Sequence, residues 1–308
     1  MKKILIATIK PFASEAIKQM QELAKKSGFE IELLEKYQSA DELKNAVANT
    51  DALIVRSDKI TADIINNAAS RLKIIVRAGA GYDNVDLQAA TANGMIVMNT
   101  PGQNSNAVAE LVFGMMIYMA RNKFNGTAGT EIKGKKLGIH AYGNVGKNVA
   151  RIAKGFKMEV YAHDPFVSSE IVERNDIKDV EEREDLYKQC QYISLHIPAN
   201  KHTIKSINYD LLKLMPENAV LVNTARKEVI DEDGLLKLMQ DRPDFKYISD
   251  IAPDRKDEFE QKFGDRVFFT PKKMGAQTAE ANINAGVAAV KQIIGFFNQG
   301  NTTFKVNK

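Results

Sequence analysis

Charged side chains directly follow three short apolar runs in the second half of the chain. They are Arg226, then Asp250 and Asp254, then Lys272 and Lys273. A guanidinium can hold a 2-keto carboxylate bidentately and polarise its carbonyl group. An ammonium group can donate a proton to the carbonyl oxygen while hydride reaches the carbon. These residue types favour oxidation or reduction of a 2-hydroxy acid.

Each of these residues also has a plainer interpretation. Arg226 could make a loop salt bridge, and the adjacent lysines could be a solvated pair. Asp250 could face a nicotinamide carboxamide and Asp254 could orient a catalytic base, but both could simply cap loops. Residue types alone leave these alternatives open.

A glycine-rich stretch between a predicted strand and a predicted helix indicates a dinucleotide site. The expected fingerprint is G-x-G-x-x-G, and here Ala141 takes its first position, followed by Gly143 and Gly146. Glycines allow a tight turn, close approach of the pyrophosphate and helix–strand packing. Alanine fits the first position if its φ stays negative. The predicted cofactor contacts here are Tyr142, Gly143, Asn144, Val145 and Gly146.

An acidic residue follows the next predicted strand. Asp164 stands where a carboxylate would accept hydrogen bonds from the adenosine ribose and repel a 2′-phosphate. The pattern therefore predicts NAD and not NADP as the cofactor. The plainer alternative is a glycine-rich turn that binds nothing.

Two series of strands and helices must position these residues. The first has predicted strands at 3–7, 30–34, 52–55, 74–76 and 95–98, and helices at 14–26, 41–48, 61–68 and 86–93, with Asp41, Thr61 and Asp86 as N-caps. The second has strands at 136–140, 159–162, 192–196, 219–223, 247–250 and 267–269, and helices at 144–155, 209–215, 231–240 and 278–297.

A long apolar helix at 106–121 separates the two series. Strand–helix alternation implies parallel strands with right-handed crossovers. We therefore predict an α/β protein with two doubly wound parallel-sheet domains. One is flavodoxin-like and the other is a six-stranded Rossmann domain, with a cleft between them.

Composition excludes several other classes of protein. The length of 308 residues suits two domains, and the net charge of +4 is too small and too dispersed to indicate nucleic acid binding. The apolar run at 111–120 is too short to span a membrane. The single cysteine, Cys190, fits a reducing compartment, and the first residues resemble a strand more than a signal peptide. We expect a cytoplasmic protein without a metal.

The charged segments, together with two loops, resemble the D-isomer-specific 2-hydroxyacid dehydrogenases. The loops are Arg-Ala-Gly-Ala-Gly-Tyr-Asp-Asn-Val-Asp at 77–86 and Pro-Gly-Gln-Asn-Ser-Asn-Ala-Val-Ala-Glu at 101–110. The resemblance extends from about residue 53 to 286. It implies NAD as cofactor and a homodimer. It also implies a substrate-binding domain at 1–100 plus 283–308 and an NAD-binding domain at 101–282.

The resemblance also assigns roles by position. Arg226 is similar to the family's catalytic arginine. The family's helix after Asn104 crosses a dimer axis, which would explain the methionine-rich stretch 115–119, although a core helix would explain it too. The remaining implied contacts are Ala78, Gly79 and Asn104 for the substrate, Arg56 and Ser57 for a phosphate, His196 and Pro198 near the adenine, and Thr224 and Ala225 for the cofactor.

The chain departs from the family at the catalytic histidine. The family has Thr-Pro-His where this chain has Thr270-Pro271-Lys272. Alignment from Pro271 forwards puts Lys272 at the histidine position, and alignment from Thr278 backwards puts Lys273 there. The glutamate that normally partners the histidine has no clear equivalent, and Asp254 is the nearest candidate.

The favoured function is oxidation of 3-phosphoglycerate at C2, with Arg226 on the carboxylate and Arg56 on the phosphate. The alternatives are a dehydrogenase for another D-2-hydroxy acid and a non-catalytic NAD(H)-binding regulator.

Overall fold

Five apolar runs near the start of the chain form one parallel sheet. The computed structural model describes residues 1–68, 70–174 and 176–308. In sheet order the strands are β2-β1-β3-β4-β5. The strands are β1 (Lys2–Thr8), β2 (Phe29–Glu35), β3 (Ala52–Val55), β4 (Ile74–Arg77) and β5 (Ile96–Asn99), and the helices are α1 (Ser14–Lys26), α2 (Ala40–Val47), α3 (Ala62–Ala68) and α4 (Leu87–Ala92).

The central strands of this sheet are buried on both faces, as a parallel sheet covered by helices requires. The predicted cap at Asp86 is confirmed, because its side chain accepts a hydrogen bond from Ala89 N. The cap predicted at Asp41 is wrong. Helix α2 begins one residue earlier, and the Ser39 side chain accepts from Glu42 N.

The second series forms a seven-stranded parallel sheet with the order β12-β11-β10-β9-β6-β7-β8. Its strands are β6 (Lys136–His140), β7 (Glu159–His163), β8 (Lys178–Asp179), β9 (Tyr192–Leu195), β10 (Val220–Asn223), β11 (Lys246–Ser249) and β12 (Val267–Phe269). Its helices are α5 (Ser105–Ala120), α6 (Asn144–Gly155), α7 (Ser169–Glu173), α8 (Arg183–Gln189), α9 (Tyr209–Leu212), α10 (Glu232–Asp241) and α11 (Lys256–Phe263).

The prediction of six strands is wrong by one. Strand β8 is only two residues long and polar, so it carries no apolar pattern. Helices α7, α8 and α11 were not predicted either, because α7 is only five residues long and charged residues dominate α8 and α11.

The last helix, α12 (Ala279–Gln299), returns to the first sheet and packs against α1. Its buried face includes Ala289, Val290 and Ile293, which join the core beneath β1 and β3. The chain divides into one unit of Met1–Asn104 with Gln277–Lys308 and a second unit of Ser105–Ala276.

Helix α5 belongs to the second unit, and its methionines are core residues. Met115, Met116 and Met119 are all buried in the same hydrophobic cluster as Ile139. Intrachain packing therefore accounts for the methionine-rich stretch by itself. Within the described ranges, no helix has the length and apolar character needed to cross a bilayer.

Candidate active site

The carboxyl edge of the seven-stranded sheet carries most of the predicted site. Strands β6, β10, β11 and β12 are parallel, so the loops that follow them emerge at the same edge. In open α/β sheets ligands bind outside this edge. The glycine turn, Arg226, Asp250 and the lysine pair all lie on these loops.

The turn after β6 begins with a residue in the left-handed region. Ala141 has φ of +83°, so the condition of a negative φ at this position is not met. Its amide donates to His163 O at 2.9 Å, which fixes the turn against β7. A residue other than glycine in this region carries conformational strain. The turn therefore keeps the shape that its fingerprint glycine normally provides, at an energetic cost.

The two remaining fingerprint glycines, Gly143 and Gly146, have different structural roles. A Cβ at Gly146 would meet Ala141 O at 2.4 Å, so this glycine permits α6 to pack against the turn. A Cβ at Gly143 would meet nothing within 4 Å, and no side chain caps the start of α6 there. Open space beside free helix N–H groups suits a phosphate.

Asp164 lies beside this turn at the end of β7. Its Oδ2 accepts from Tyr142 N at 2.8 Å, and its Oδ1 accepts from Phe166 N at 2.9 Å. A carboxylate oxygen can accept more than one hydrogen bond, so both oxygens retain capacity for ribose hydroxyls. Tyr142 is itself buried beneath the turn.

Asn223 was not singled out from the sequence, but it shapes the loop that carries Arg226. It is fully buried, with Oδ1 accepting from Ala225 N at 2.9 Å and Nδ2 donating to Arg226 O at 3.0 Å. Arg226 Nη1 donates to Ala225 O at 2.8 Å, which leaves the rest of its guanidinium to other partners. The signal for Asn223 was an asparagine at a strand end, which commonly bonds nearby backbone.

Thr224 supplies a further sign of a ligand on the same loop. Its hydroxyl is buried and has no hydrogen-bond partner within the described part of the chain. A buried polar atom without a partner is costly, and a bound group would satisfy it. This orphaned hydroxyl, the space at Gly143 and the uncapped start of α6 together fit a bound dinucleotide.

Asp250 holds the lysine loop by its backbone. It is 1% exposed, and its Oδ1 accepts from Met274 N at 2.8 Å while its Oδ2 accepts from Gly275 N at 2.8 Å. Thr270 Oγ1 also donates, at 3.0 Å to Oδ1. A Cβ at Gly275 would lie 2.9 Å from Asp250 Oδ2, so the loop needs glycine there. Asp250 is thus a positioning residue for the exposed Lys272 and Lys273.

Asp254 is far more exposed than Asp250 and pairs with a different lysine. Its side chain is 74% exposed and forms an ion pair with Lys227. This contact raises the pKa of Lys227 through the hydrogen bond. The interaction resembles a surface ion pair more than the orientation of a buried base.

The predicted adenine-side residues follow β9. The ring of His196 hydrogen-bonds through Nε2 to Ser194 Oγ at 2.9 Å, and burial lowers its pKa to about 3. The ring is therefore neutral at physiological pH. Pro198 is exposed, and its carbonyl accepts from Thr203 Oγ1.

In the first unit, Arg56 follows β3 and its guanidinium already has several partners. Nη1 donates to Lys10 O at 3.0 Å and Pro11 O at 3.1 Å, Nη2 donates to Asn282, and the group lies over the Phe12 ring. Burial lowers the pKa of Arg56, although it remains charged at neutral pH. A phosphate would have to use its remaining N–H groups or displace a contact.

The predicted substrate loop of the first unit follows β4 and contains a residue, Arg77, to which the sequence analysis gave no role. The Arg77 guanidinium lies so close over Gly79 that a Cβ there would be 1.6 Å from Nη1, and Arg77 Nε donates to Arg56 O at 2.9 Å. Gly79 has φ of +150°. Ala78 is buried, whereas Asn104 is partly exposed.

Ser57, the other predicted phosphate contact, is exposed. Across the residues that the structure describes, no group of three or more His, Cys, Asp or Glu side chains could hold a metal.

Two solved or curated proteins resemble the chain over nearly its whole length. The NAD⁺-bound 3-phosphoglycerate dehydrogenase of Entamoeba histolytica is 46% identical, with a TM-score of 0.89 over 100% of this chain and 99% of that one. A hydroxypyruvate reductase of Thermotoga maritima is 36% identical over 86% of this chain and 90% of its own length.

A third relative is longer. D-3-phosphoglycerate dehydrogenase of Methanocaldococcus jannaschii is 35% identical over 95% of this chain, which spans 57% of that enzyme's length.

The family comparison matches the second unit. Residues 107–271 match the model described as D-isomer specific 2-hydroxyacid dehydrogenase, NAD binding domain. The matched range includes the glycine turn, Asp164 and the Arg226 loop, and it ends just before the two lysines. The cofactor is therefore NAD, and the chain belongs to the D-isomer-specific 2-hydroxyacid dehydrogenases.

Proposed function

We propose that this chain interconverts 3-phosphoglycerate and 3-phosphohydroxypyruvate with NAD. The observation that carries the proposal is the arrangement at one sheet edge of a dinucleotide turn, Arg226 and a lysine loop fixed by buried Asp250. The similarity to the Entamoeba histolytica enzyme over the whole chain supports this substrate.

The chemistry divides among these residues. NAD, when bound, accepts hydride from C2 of the hydroxy acid or, as NADH, returns it. Arg226 binds the substrate carboxylate and polarises the C2 carbonyl. In the reducing direction, one of Lys272 and Lys273 gives its proton to the carbonyl oxygen and is reprotonated from solvent. In the oxidising direction, the neutral amine takes the hydroxyl proton.

The first unit would supply substrate recognition. We propose that Arg56 and Ser57 contact the phosphate and that Ala78, Gly79 and Asn104 contact the carboxylate end. Arg77 joins them, because its guanidinium lies directly over Gly79. This assigns substrate binding to residues 1–100 plus 283–308 and NAD binding to 101–282.

Further assignments concern the second unit. Tyr142 to Gly146 would cradle the pyrophosphate, Asp164 the ribose, and His196 and Pro198 the adenine. Thr224, Ala225 and Asp250 would border the nicotinamide. We propose that Asp254, which is exposed and forms an ion pair with Lys227, does not act as the partner of the catalytic lysine.

We also propose a cytoplasmic homodimer. The sole cysteine, Cys190, is buried, and burial raises its pKa to about 12, so it remains a thiol in a reducing compartment. Sedimentation velocity should give twice the chain mass, whereas a monomer at micromolar concentration would contradict the dimer.

A second candidate is reduction of hydroxypyruvate itself. It is favoured by the similarity to the hydroxypyruvate reductase. It is also favoured because the Arg56 guanidinium already bonds to Lys10 O and Asn282, which leaves fewer N–H groups for a phosphate. The two substrates differ only by the phosphate, so they form a matched pair.

The experiment measures NADH consumption with each substrate in wild type and Arg56→Gln. The first proposal predicts preference for phosphohydroxypyruvate and loss of that preference in the variant. Preference for hydroxypyruvate, unchanged in Arg56→Gln, would favour the second candidate. Tight NADH binding without turnover of any keto acid would favour the regulator.

A further inference from the structure

A separate cavity lies in the first unit, at the carboxyl ends of β1 and β3. Its volume is 390 Å³, which suits a small metabolite. In the order β2-β1-β3-β4-β5 the chain's progression reverses between β1 and β3, the position at which open α/β sheets bind ligands. The lining includes Lys10, Tyr37, Leu43, Asp58, Lys59 and Ile64.

The cavity contains a buried carboxylate that is only half satisfied. Asp58 is 4% exposed, and its Oδ1 accepts from Ile9 N at 2.7 Å and from Tyr37 OH at 2.8 Å. Its Oδ2 is buried and has no partner in the part of the chain that the structure describes. Burying a carboxylate oxygen without a hydrogen-bond donor costs free energy, so a bound donor would stabilise this site.

Tyr37 cannot supply that missing proton donor, because its single hydroxyl proton is already directed at Oδ1. Burial and the neighbouring Asp58 raise the pKa of Tyr37, so it remains protonated. Asp58 lines the cavity, so a group bound there could supply the donor for Oδ2.

Arg56 is not among the residues that line this cavity, although the neighbouring Ser57 is. Arg56 lies over the Phe12 ring, and Phe12 belongs to the hydrophobic cluster that includes α1 and α12. Asp58 bonds to Tyr37, which belongs to the cluster on the opposite face of the sheet, with α2 and α3. Arg56 and Asp58 are two residues apart in sequence, but their side chains contact residues of clusters on opposite faces of the sheet.

The rest of the lining defines the other end of a ligand. Lys10 and Lys59 are exposed lining residues and would attract an anion. Leu43 and Ile64 provide an apolar wall. The buried acceptor suits a primary ammonium group, the exposed lysines suit a carboxylate, and the apolar wall suits a short apolar side chain. Together these features fit a small molecule that carries all three groups.

We propose that this cavity binds a free α-amino acid, with its ammonium group on Asp58 Oδ2 and its carboxylate near Lys10 and Lys59. This site is additional to the dehydrogenase site, although Ser57, the proposed phosphate contact, also lines the cavity.

Calorimetric titration of the full chain with a matched set of probes tests the proposal. L-alanine carries both charged groups, ethylamine lacks the carboxylate and propionate lacks the ammonium group. We expect L-alanine to bind at least about tenfold more tightly than either partial probe, since each loses a charge-assisted hydrogen bond. Absence of L-alanine binding, or propionate binding as tightly, would overturn the proposal.

Asp58→Asn is the decisive variant. Its Oδ1 can still accept from Ile9 and Tyr37, so the fold is retained, while Nδ2 replaces the acceptor for the ammonium group. We expect it to abolish L-alanine binding and Lys59→Gln to weaken it, with Lys26→Gln, an exposed change on α1, as control. Thermal melting and NADH binding check that each variant is folded. Unchanged binding in folded Asp58→Asn overturns the site.

A crystal structure grown with L-alanine gives an independent result. The amino nitrogen should lie within hydrogen-bond distance of Asp58 Oδ2. A water or the Lys59 ammonium group in that place, with no bound L-alanine, would refute the assignment.

Discussion

The turn after β6 and the loop after β12 lie at the same edge of one sheet but are held in different ways. The turn is shaped by backbone: Gly146 allows close packing and Gly143 leaves open space. The lysine loop is shaped by one buried side chain, Asp250, which accepts from two successive loop amides. The turn should therefore respond to added atoms, and the loop should respond to a lost acceptor.

The largest effect is expected at the loop. In Asp250→Asn, Oδ1 can still accept from Met274 N, but an NH₂ group faces Gly275 N. We expect unfolding to become easier by about 1–3 kcal/mol, because a buried donor loses its partner, and turnover to fall with it. Chemical denaturation and NADH consumption measure the two changes.

Asp254→Asn is the matched control for that change. It removes an exposed ion pair with Lys227, worth about 0–1 kcal/mol, so both stability and turnover should stay near wild type. A large loss of turnover in this control would restore Asp254 as a partner of the catalytic lysine. Equal effects at the two positions would remove the distinction between buried and exposed acids.

A smaller effect is expected at the turn. Gly143→Ala adds a Cβ that meets no protein atom within 4 Å, so the unfolding free energy should hardly change. The methyl group would occupy the space for the pyrophosphate, and we expect NADH to bind about tenfold more weakly, in line with an overpacking cost of about 1–3 kcal/mol. Fluorescence titration with NADH measures this.

Gly155→Ala, at the other end of α6 and equally open, is its control. It should leave NADH affinity unchanged. Weaker binding in both variants would mean that α6 itself was disturbed.

The smallest effect is a gain of stability at the first position of the turn. Ala141→Gly removes the cost of φ +83°, about 1–2 kcal/mol. Part of this gain in stability is offset by the greater conformational entropy that glycine loses on folding, about 0.5–1 kcal/mol. We expect a modest rise in the melting temperature by calorimetry. Ala46→Gly, within α2, should lower it, and a fall in both would show that the turn is unstrained.

The same contrast explains what could be read from the sequence. Strands such as β3 and β12 were predicted with their observed bounds, because apolar residues run without interruption through them. Strand β8 and α11 were missed, since one is too short and the other too charged for a clear pattern. Residue type could not give the φ of Ala141, because neighbouring elements impose it.

Some of the proposed site residues could be identified from the sequence, and others could not. Arg226, the glycine turn and the lysine pair follow from strand ends and motif spacing. The contact of Arg56 with Asn282 joins positions 226 residues apart, and the stacking of Arg77 over Gly79 depends on side-chain direction. Such contacts arise only when the chain has folded, so no local pattern announces them.

We propose that a lysine takes the place of histidine in the Thr-Pro-His motif as acid and base. The measurement that decides this claim is single-turnover reduction of phosphohydroxypyruvate by NADH in Lys272→Ala and Lys273→Ala, with Lys227→Ala as control. We predict that one of the first two loses about 10²-fold or more in rate while retaining NADH affinity, and that the other and the control change little. Wild-type rates in both Lys272→Ala and Lys273→Ala would contradict the claim.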